Sequence, residues 1–139
     1  MKKRIIRVVI DTNWWVSFVI SSYKSQLTTV LLHPNIEIYS CEELDQEVFE
    51  TLDDANLQKY IQPNIKEEFV RLYPAAINPI IVKSTATACR DPKDNFLLAL
   101  LKDAKAHYLI TGDKDLLSLN TFGKTAIVTM SEFLRIAGS

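Results

Sequence analysis

Short β-like runs alternate with helix-patterned segments along the whole chain, with no linker, repeat or low-complexity stretch between them. This alternation restricts the fold more than any other feature. Strands separated by helices return in parallel and need helices on both faces of the sheet to bury them. It predicts an α/β fold of three layers, α/β/α, around a central, mostly parallel sheet. The runs are "IIRVVI" (5–10), "IEIYS" (36–40), "IIV" (80–82), "YLIT" (108–111) and "AIVT" (126–129). Between them, Asn13 is placed to cap a helix reaching about Ile20, and Ser25 another that Pro34 stops. Ser40 with Glu43, and Asn64 with Glu67, have capping-box spacing for helices reaching about Leu52 and Tyr73. Pro92 suits the first position of a helix extending to about Lys105. A short helix is expected over 114–119, and Ser131 is placed to cap the last.

Length and composition bound the rest. The 139 residues are read as one domain, 1–139, with enough chain for a real core. Hydrophobic residues at 47% and charged residues at 24% fit a soluble globular protein. No apolar run approaches the roughly 20 residues that cross a bilayer, so no membrane role is expected. The basic start "MKKR" leads into a short apolar run that ends in an acid, which reads as a first strand rather than a signal peptide. Cys41 and Cys89 are too few for a disulfide framework and lack metal-binding spacing, so they read as reduced thiols in a cytoplasmic protein. A net charge of −1 argues against nucleic-acid binding carried mainly by a basic surface. It leaves room for a nuclease whose acidic centre has a few cations at its rim.

Three aspartates stand where a strand-like run gives way to a helix: Asp11, Asp94 in "CRDPKDN" and Asp113 in "YLITGDKD". Ligand sites of parallel sheets lie at the carboxyl ends of the strands, so these acids are placed to converge. Gathered carboxylates repel one another unless a cation compensates, and Mg²⁺ or Mn²⁺ prefers such all-oxygen ligands. Each acid also has a plainer role. Asp11 suits a turn after a strand. Glu47 borders the Leu44, Val48 and Leu52 stripe of its helix, where it needs a partner, a metal or an outlet to solvent. Asp94 suits the third position of a helix capped by Asp91, although it also leads the stripe of Leu97, Leu98 and Leu101. Asp113 suits an N-cap, and Asp115, two residues on, is expected in a supporting part.

Other features carry less. His33 and His107 lie near no suggestive Ser or Cys, and the three glycines form no phosphate-binding loop. Trp14 and Trp15 are available to stack on single-stranded bases, but core packing is the commoner use of such a pair. Arg90, Lys93 and Lys114 flank the acidic motifs as phosphate contacts or as ordinary surface charge.

From "VVIDTN" through "SCEELDQEVFETL" and "CRDPKDNFLLALLKDAKAHYLITGDKDLL" to "MSEFL", the chain resembles the PIN-domain ribonucleases. Within them it is similar to the bacterial and archaeal toxins of toxin–antitoxin pairs. The resemblance implies an acidic quartet of Asp11, Glu47, Asp94 and Asp113 around Mg²⁺ or Mn²⁺, with Asp115 auxiliary. Thr12, Asn13 and Thr111 are implied as orienting polar groups. It also implies metal-assisted hydrolysis of RNA, single-stranded in form, with water as the nucleophile. An antitoxin partner or a homodimer through helices within 42–73 is implied as well. The Trp14–Trp15 pair departs from the aliphatic residues usual there.

Two other classes are open at this point. Aspartate-based phosphotransfer and phosphatase domains also place Asp at strand ends, but Asn13 fills the second aspartate's usual place in the phosphatases, and the acidic pair of receivers is absent. A non-catalytic nucleic-acid-binding module of the same fold is the other. The two aspartates of one turn separate capping from chemistry. Asp91→Ala is expected to cost about 1 kcal/mol in denaturant unfolding and leave Mn²⁺ affinity unchanged. Asp94→Asn is expected to lose Mn²⁺ affinity with little change in stability, and the reverse pattern would exchange their roles.

Overall fold

The fold comes from a computed structural model that describes residues 4–86 and 92–138, with only the backbone of 92 and 93. Strands β1 (Ile6–Ile10), β2 (Ile36–Ser40), β3 (Asn78–Pro79), β4 (Tyr108–Ile110), β5 (Thr121–Phe122) and β6 (Thr125–Val128) form one sheet in the order β3-β2-β1-β4-β6-β5. Every neighbouring pair is parallel except the β5–β6 hairpin. The chain moves outward from β1 to β2 and β3, then crosses back to β4 on the other side of β1. The order therefore reverses between β1 and β4, and their carboxyl ends are where such a sheet carries its ligand site.

Around the sheet lie α1 (Thr12–Ile20), α2 (Leu27–Leu32), α3 (Glu42–Leu52), α4 (Pro63–Ala76), α5 (Pro92–Ala104), α6 (Lys114–Leu117) and α7 (Met130–Ala137). Side chains alternate across the strands, which divides the core in two. Val8, Ile10, Ile38, Ile110 and Val128 face a cluster shared with α1, α4 and α7, including Trp15, Phe69 and Phe133. Val9, Leu109 and Ile127 face the other, filled by Leu97, Leu98, Leu100 and Leu101 of α5 and Leu116 of α6. The expected three layers and mostly parallel sheet are thus observed. Helix α3 belongs to both clusters, with Leu44 in the second and Val48 and Leu52 in the first. It passes from one layer to the other, and Glu47 lies at the crossing.

One buried polar network anchors that helix. The hydroxyls of Ser40 and Tyr73 both donate to Asp45 Oδ1, each at 2.6 Å. Tyr73 is only 2% exposed and sits edge-on to Trp15 and Phe49, with ring centroids 5.0 and 5.3 Å away. Burial and the acceptor carboxylate push its phenol pKa upward, so it stays a donor. Cys41, the buried free thiol ahead of α3, is pushed up to about 12, mainly by burial. Cys89 lies outside the described residues.

Several helix caps and one strand differ from what their local sequence predicts. Asp11, not Asn13, caps α1, and Asn13 is exposed. Ser40 spends its hydroxyl on Asp45, so Cys41 takes the cap position without a side-chain bond. Gln26 holds that position before α2, while Ser25 Oγ accepts from the Leu27 amide at 3.3 Å. Pro63 opens α4 after Gln62, so Asn64 and Glu67 form no capping box. That helix continues past Tyr73 to Ala76 with Pro74 in its last turn; the carbonyl that Pro74 leaves without an amide partner is that of Val70, an exposed residue open to water. Thr129, not Ser131, caps α7. The "IIV" run is not a strand: pairing ends at Pro79, and Ile81 is 83% exposed. The Ile80 amide makes the last bond to β2, donating to the Ser40 carbonyl at 2.8 Å, and the Asp103 carboxylate then draws the Lys83 and Ser84 amides away from the edge. The β5–β6 hairpin, unforeseen, turns at Gly123 with φ of +59°, a conformation glycine adopts freely. No helix among the described residues is long and apolar enough to cross a membrane.

Tyr73→Phe tests the anchor. It keeps the aromatic packing but leaves Asp45 with one donor fewer, and urea unfolding is expected to show a loss of about 1.5–3 kcal/mol. Unchanged stability would show that Ser40 alone satisfies Asp45.

Candidate functional site

The carboxyl rim at the switch point is formed by the residues that follow β1 and β4. Asp11 is the first residue past β1, and its amide donates to the Ile110 carbonyl at 3.1 Å, continuing the sheet. Both its carboxylate oxygens are engaged. Oδ1 accepts from the Thr12 amide at 2.8 Å, and Oδ2 from the Thr111 hydroxyl at 2.6 Å. One bond caps α1; the other ties the end of β1 to the end of β4, a hundred residues away in sequence. Thr111 Oγ1 also accepts from the Asp113 amide at 3.0 Å, and the Asp113 carboxylate caps α6 through the Leu116 amide at 3.0 Å. On the opposite side, the buried Thr12 hydroxyl donates to Glu47 Oε1 at 2.5 Å.

Asp11, Glu47 and Asp113 are thus joined through two buried threonines, and the charges of Glu47 and Asp113 both act on Asp11. Burial pushes the Asp11 pKa up from its ordinary 3.8. The bonds from Thr111 and Thr12 pull it down, and the negative charges of Glu47 and Asp113 push it up further. Asp94 lies half-buried in the first turn of α5. That helix returns to the start of β4, so its first turn lies toward the same carboxyl rim. Asp115 and Lys114 are exposed in the first turn of α6. Arg90, Asp91 and the Lys93 side chain lie outside the described residues.

Among the described residues, no three Asp, Glu, His or Cys side chains already stand together as a ligand set. The fit to a hard divalent cation is one of donor chemistry. The donors are all oxygen, partly shielded from water, and their repulsion is of the kind a cation relieves.

The remaining candidates resolve into structure. Trp15 is 1% exposed and packs on Phe69 and Tyr73, and Trp14 is half-buried against the same core. The pair is mainly core. His33 Nδ1 accepts from the Asn35 amide, and His107 Nδ1 from the Arg7 amide at 2.9 Å. The sequence offers Ser40 as a cap and gives no sign of its bond to Asp45 or of the Tyr73 bond to the same carboxylate. These bonds hold the helix that carries Glu47, and the place of Asp45 in a helical first turn does not announce them.

The PIN domain family model matches residues 7–115, a span that includes all four carboxylates. An uncharacterized protein of Methanocaldococcus jannaschii is 29% identical over 127 residues, covering 89% of this chain and 81% of the relative. No solved structure matches.

The upward shift at Asp11 makes a signed prediction for the metal-free protein. A carboxyl group whose folded pKa lies above its unfolded value contributes stability at low pH and loses it as pH rises through the folded pKa. Asp11→Asn keeps the capping oxygen but not the charge. Its stability relative to wild type, measured by urea unfolding in EDTA, is expected to rise as pH increases from below 3.8 toward neutrality. A difference independent of pH would show that Asp11 is not strained by burial.

Proposed function

This chain belongs to the PIN-domain family, and we propose that it is a divalent-metal-dependent endoribonuclease that hydrolyses phosphodiester bonds of single-stranded RNA. The observation that carries the reading is the Asp11 carboxylate. It is half-buried at the switch point, oriented by Thr12 and Thr111, and within electrostatic reach of Glu47 and Asp113. Burying charge against like charge is costly, and a ligand that neutralises it gives the arrangement a purpose.

Asp11, Glu47, Asp94 and Asp113 are the residues proposed to hold Mg²⁺ or Mn²⁺, with Asp115 in support. When bound, such a cation stabilises charge on the phosphoryl and leaving oxygens and makes water a better nucleophile. The chain's own residues prepare for this. Thr111 holds Asp11 Oδ2 in place, and Thr12 does the same for Glu47 Oε1, so neither carboxylate must be reoriented when substrate arrives. Asn13, exposed at the start of α1, is proposed as a further orienting polar group, and Lys114, exposed beside Asp113, as a phosphate contact. Arg90 and Lys93 are proposed as further phosphate contacts from their place in the sequence. No side chain needs to bond covalently to the substrate.

A toxin role in the cytoplasm, with an antitoxin protein as partner and self-association through α3 and α4, completes the proposal. It rests on the likeness of the motifs to the toxin branch of the family.

The test is cleavage of a fluorescent single-stranded RNA in Mn²⁺, with EDTA as control. Thr111→Val is expected to slow cleavage about 10- to 100-fold through loss of orientation, and Asp11→Asn more than that. Hydrolysis of a phosphomonoester with RNA untouched would favour a phosphatase, and full activity in EDTA would remove the metal.

A further inference from the structure

A second concave site lies at the opposite, amino rim of the sheet. Ile6 and Tyr108 open β1 and β4, Ala126 pairs with Tyr108 across β4 and β6, and Ile136 and Ala137 close the cavity from the end of α7. Its volume is about 440 Å³, within the range of small-ligand pockets. Among the described residues, three basic side chains complete the lining, Arg4, His107 and Lys124, and no acidic side chain contributes to it. Arg4 and Lys124 are exposed and form no ion pair among the described residues. His107 Nδ1 accepts from the Arg7 amide, which leaves Nε2 to carry the ring proton as a donor.

Cations on this rim have an ordinary use, as counter-charges for the carbonyl end of α7. That use requires no cavity. It also leaves unexplained the combination of donors with an aromatic and aliphatic floor. Tyr108 is braced edge-on by Phe133 with centroids 5.4 Å apart, and Ile136 is 43% exposed at the mouth.

We propose that this cavity, bounded by Arg4, His107 and Lys124 around Tyr108, binds a nucleoside monophosphate. The phosphate meets the three cationic or donor groups, and the base and sugar lie against Tyr108, Ile6 and Ile136. A bare anion would leave the apolar floor unused, and a neutral ligand would leave the cations unused. An extended nucleic-acid strand needs a track that continues well beyond a recess of about 440 Å³. The site is independent of the acidic rim and requires no divalent metal.

Binding of AMP, adenosine and inorganic phosphate to the whole chain, measured by calorimetry in EDTA, tests this. The expected result is saturable 1:1 binding of AMP, with adenosine and phosphate each about tenfold or more weaker. Lys124→Glu lies in the exposed hairpin turn and reverses one charge, while Ile136→Trp fills the mouth without altering charge. Each is expected to weaken AMP about tenfold or more with the melting temperature preserved, and Asp11→Asn to leave AMP binding unchanged. Absence of AMP binding would overturn the proposal, as would binding that depends on Asp11 and not on Lys124. A single-stranded oligonucleotide that binds through Lys124 while AMP does not would also overturn it and make this rim an RNA track. Binding is read without metal or turnover, so its failure leaves the ribonuclease proposal where it stands.

Discussion

The bond from Thr111 to Asp11 is the interaction on which the carboxyl rim depends. It joins the ends of the two strands that flank the switch point, and it does so through a carboxylate that burial makes costly to ionise. A hydrogen bond to a charged group is among the stronger contacts a protein makes, so the same bond that aligns the strand ends also fixes the direction of the acid. Thr111 then accepts from the Asp113 amide, which carries the constraint into α6. Orientation thus spreads through short, direct bonds rather than through a mobile loop.

The opposite wall depends on α3, whose path from one core layer to the other has a distinct physical origin. Leu44 and Val48 are four residues apart, yet they belong to different clusters, so the helix lies across the rim rather than along one face. Such a helix cannot be held by a single apolar stripe. Asp45, bonded by Ser40 and Tyr73, supplies a polar anchor that links its first turn to β2 and α4. Glu47, two residues on, is then turned toward Thr12 and the carboxyl rim.

Charge is distributed unevenly between the two ends of the sheet. Carboxylates collect at the carboxyl rim, whereas the cavity at the amino rim is lined by Arg4, His107 and Lys124. A net charge of −1 conceals this separation entirely. Whole-chain charge describes solubility and long-range attraction, whereas local fields decide what a cleft attracts.

Much of this molecule follows from the order of its residues. Alternating strand and helix patterns determine a parallel, two-sided sheet, because runs such as "VVI" and "YLI" need cover on both faces. Aspartates at the strand ends mark the rim where a site belongs, and the matched family model spans all of them. What sequence did not determine was which polar group would serve which neighbour. Asn13 and Ser131 had the right chemistry for caps, but Asp11 and Thr129 were nearer the amides that needed them. Ser40 was claimed by Asp45, and the apolar "IIV" run leaves the sheet after the Ile80 amide, where Asp103 takes the amides that follow. Likewise, nothing in the chain order announced that Tyr73 would reach Asp45, or that His107 and Lys124 would meet Arg4. Periodicity is a property of neighbours along the chain, so it survives in sequence. Hydrogen-bond partners and cavities arise from distances between distant segments, and only the tertiary structure decides those.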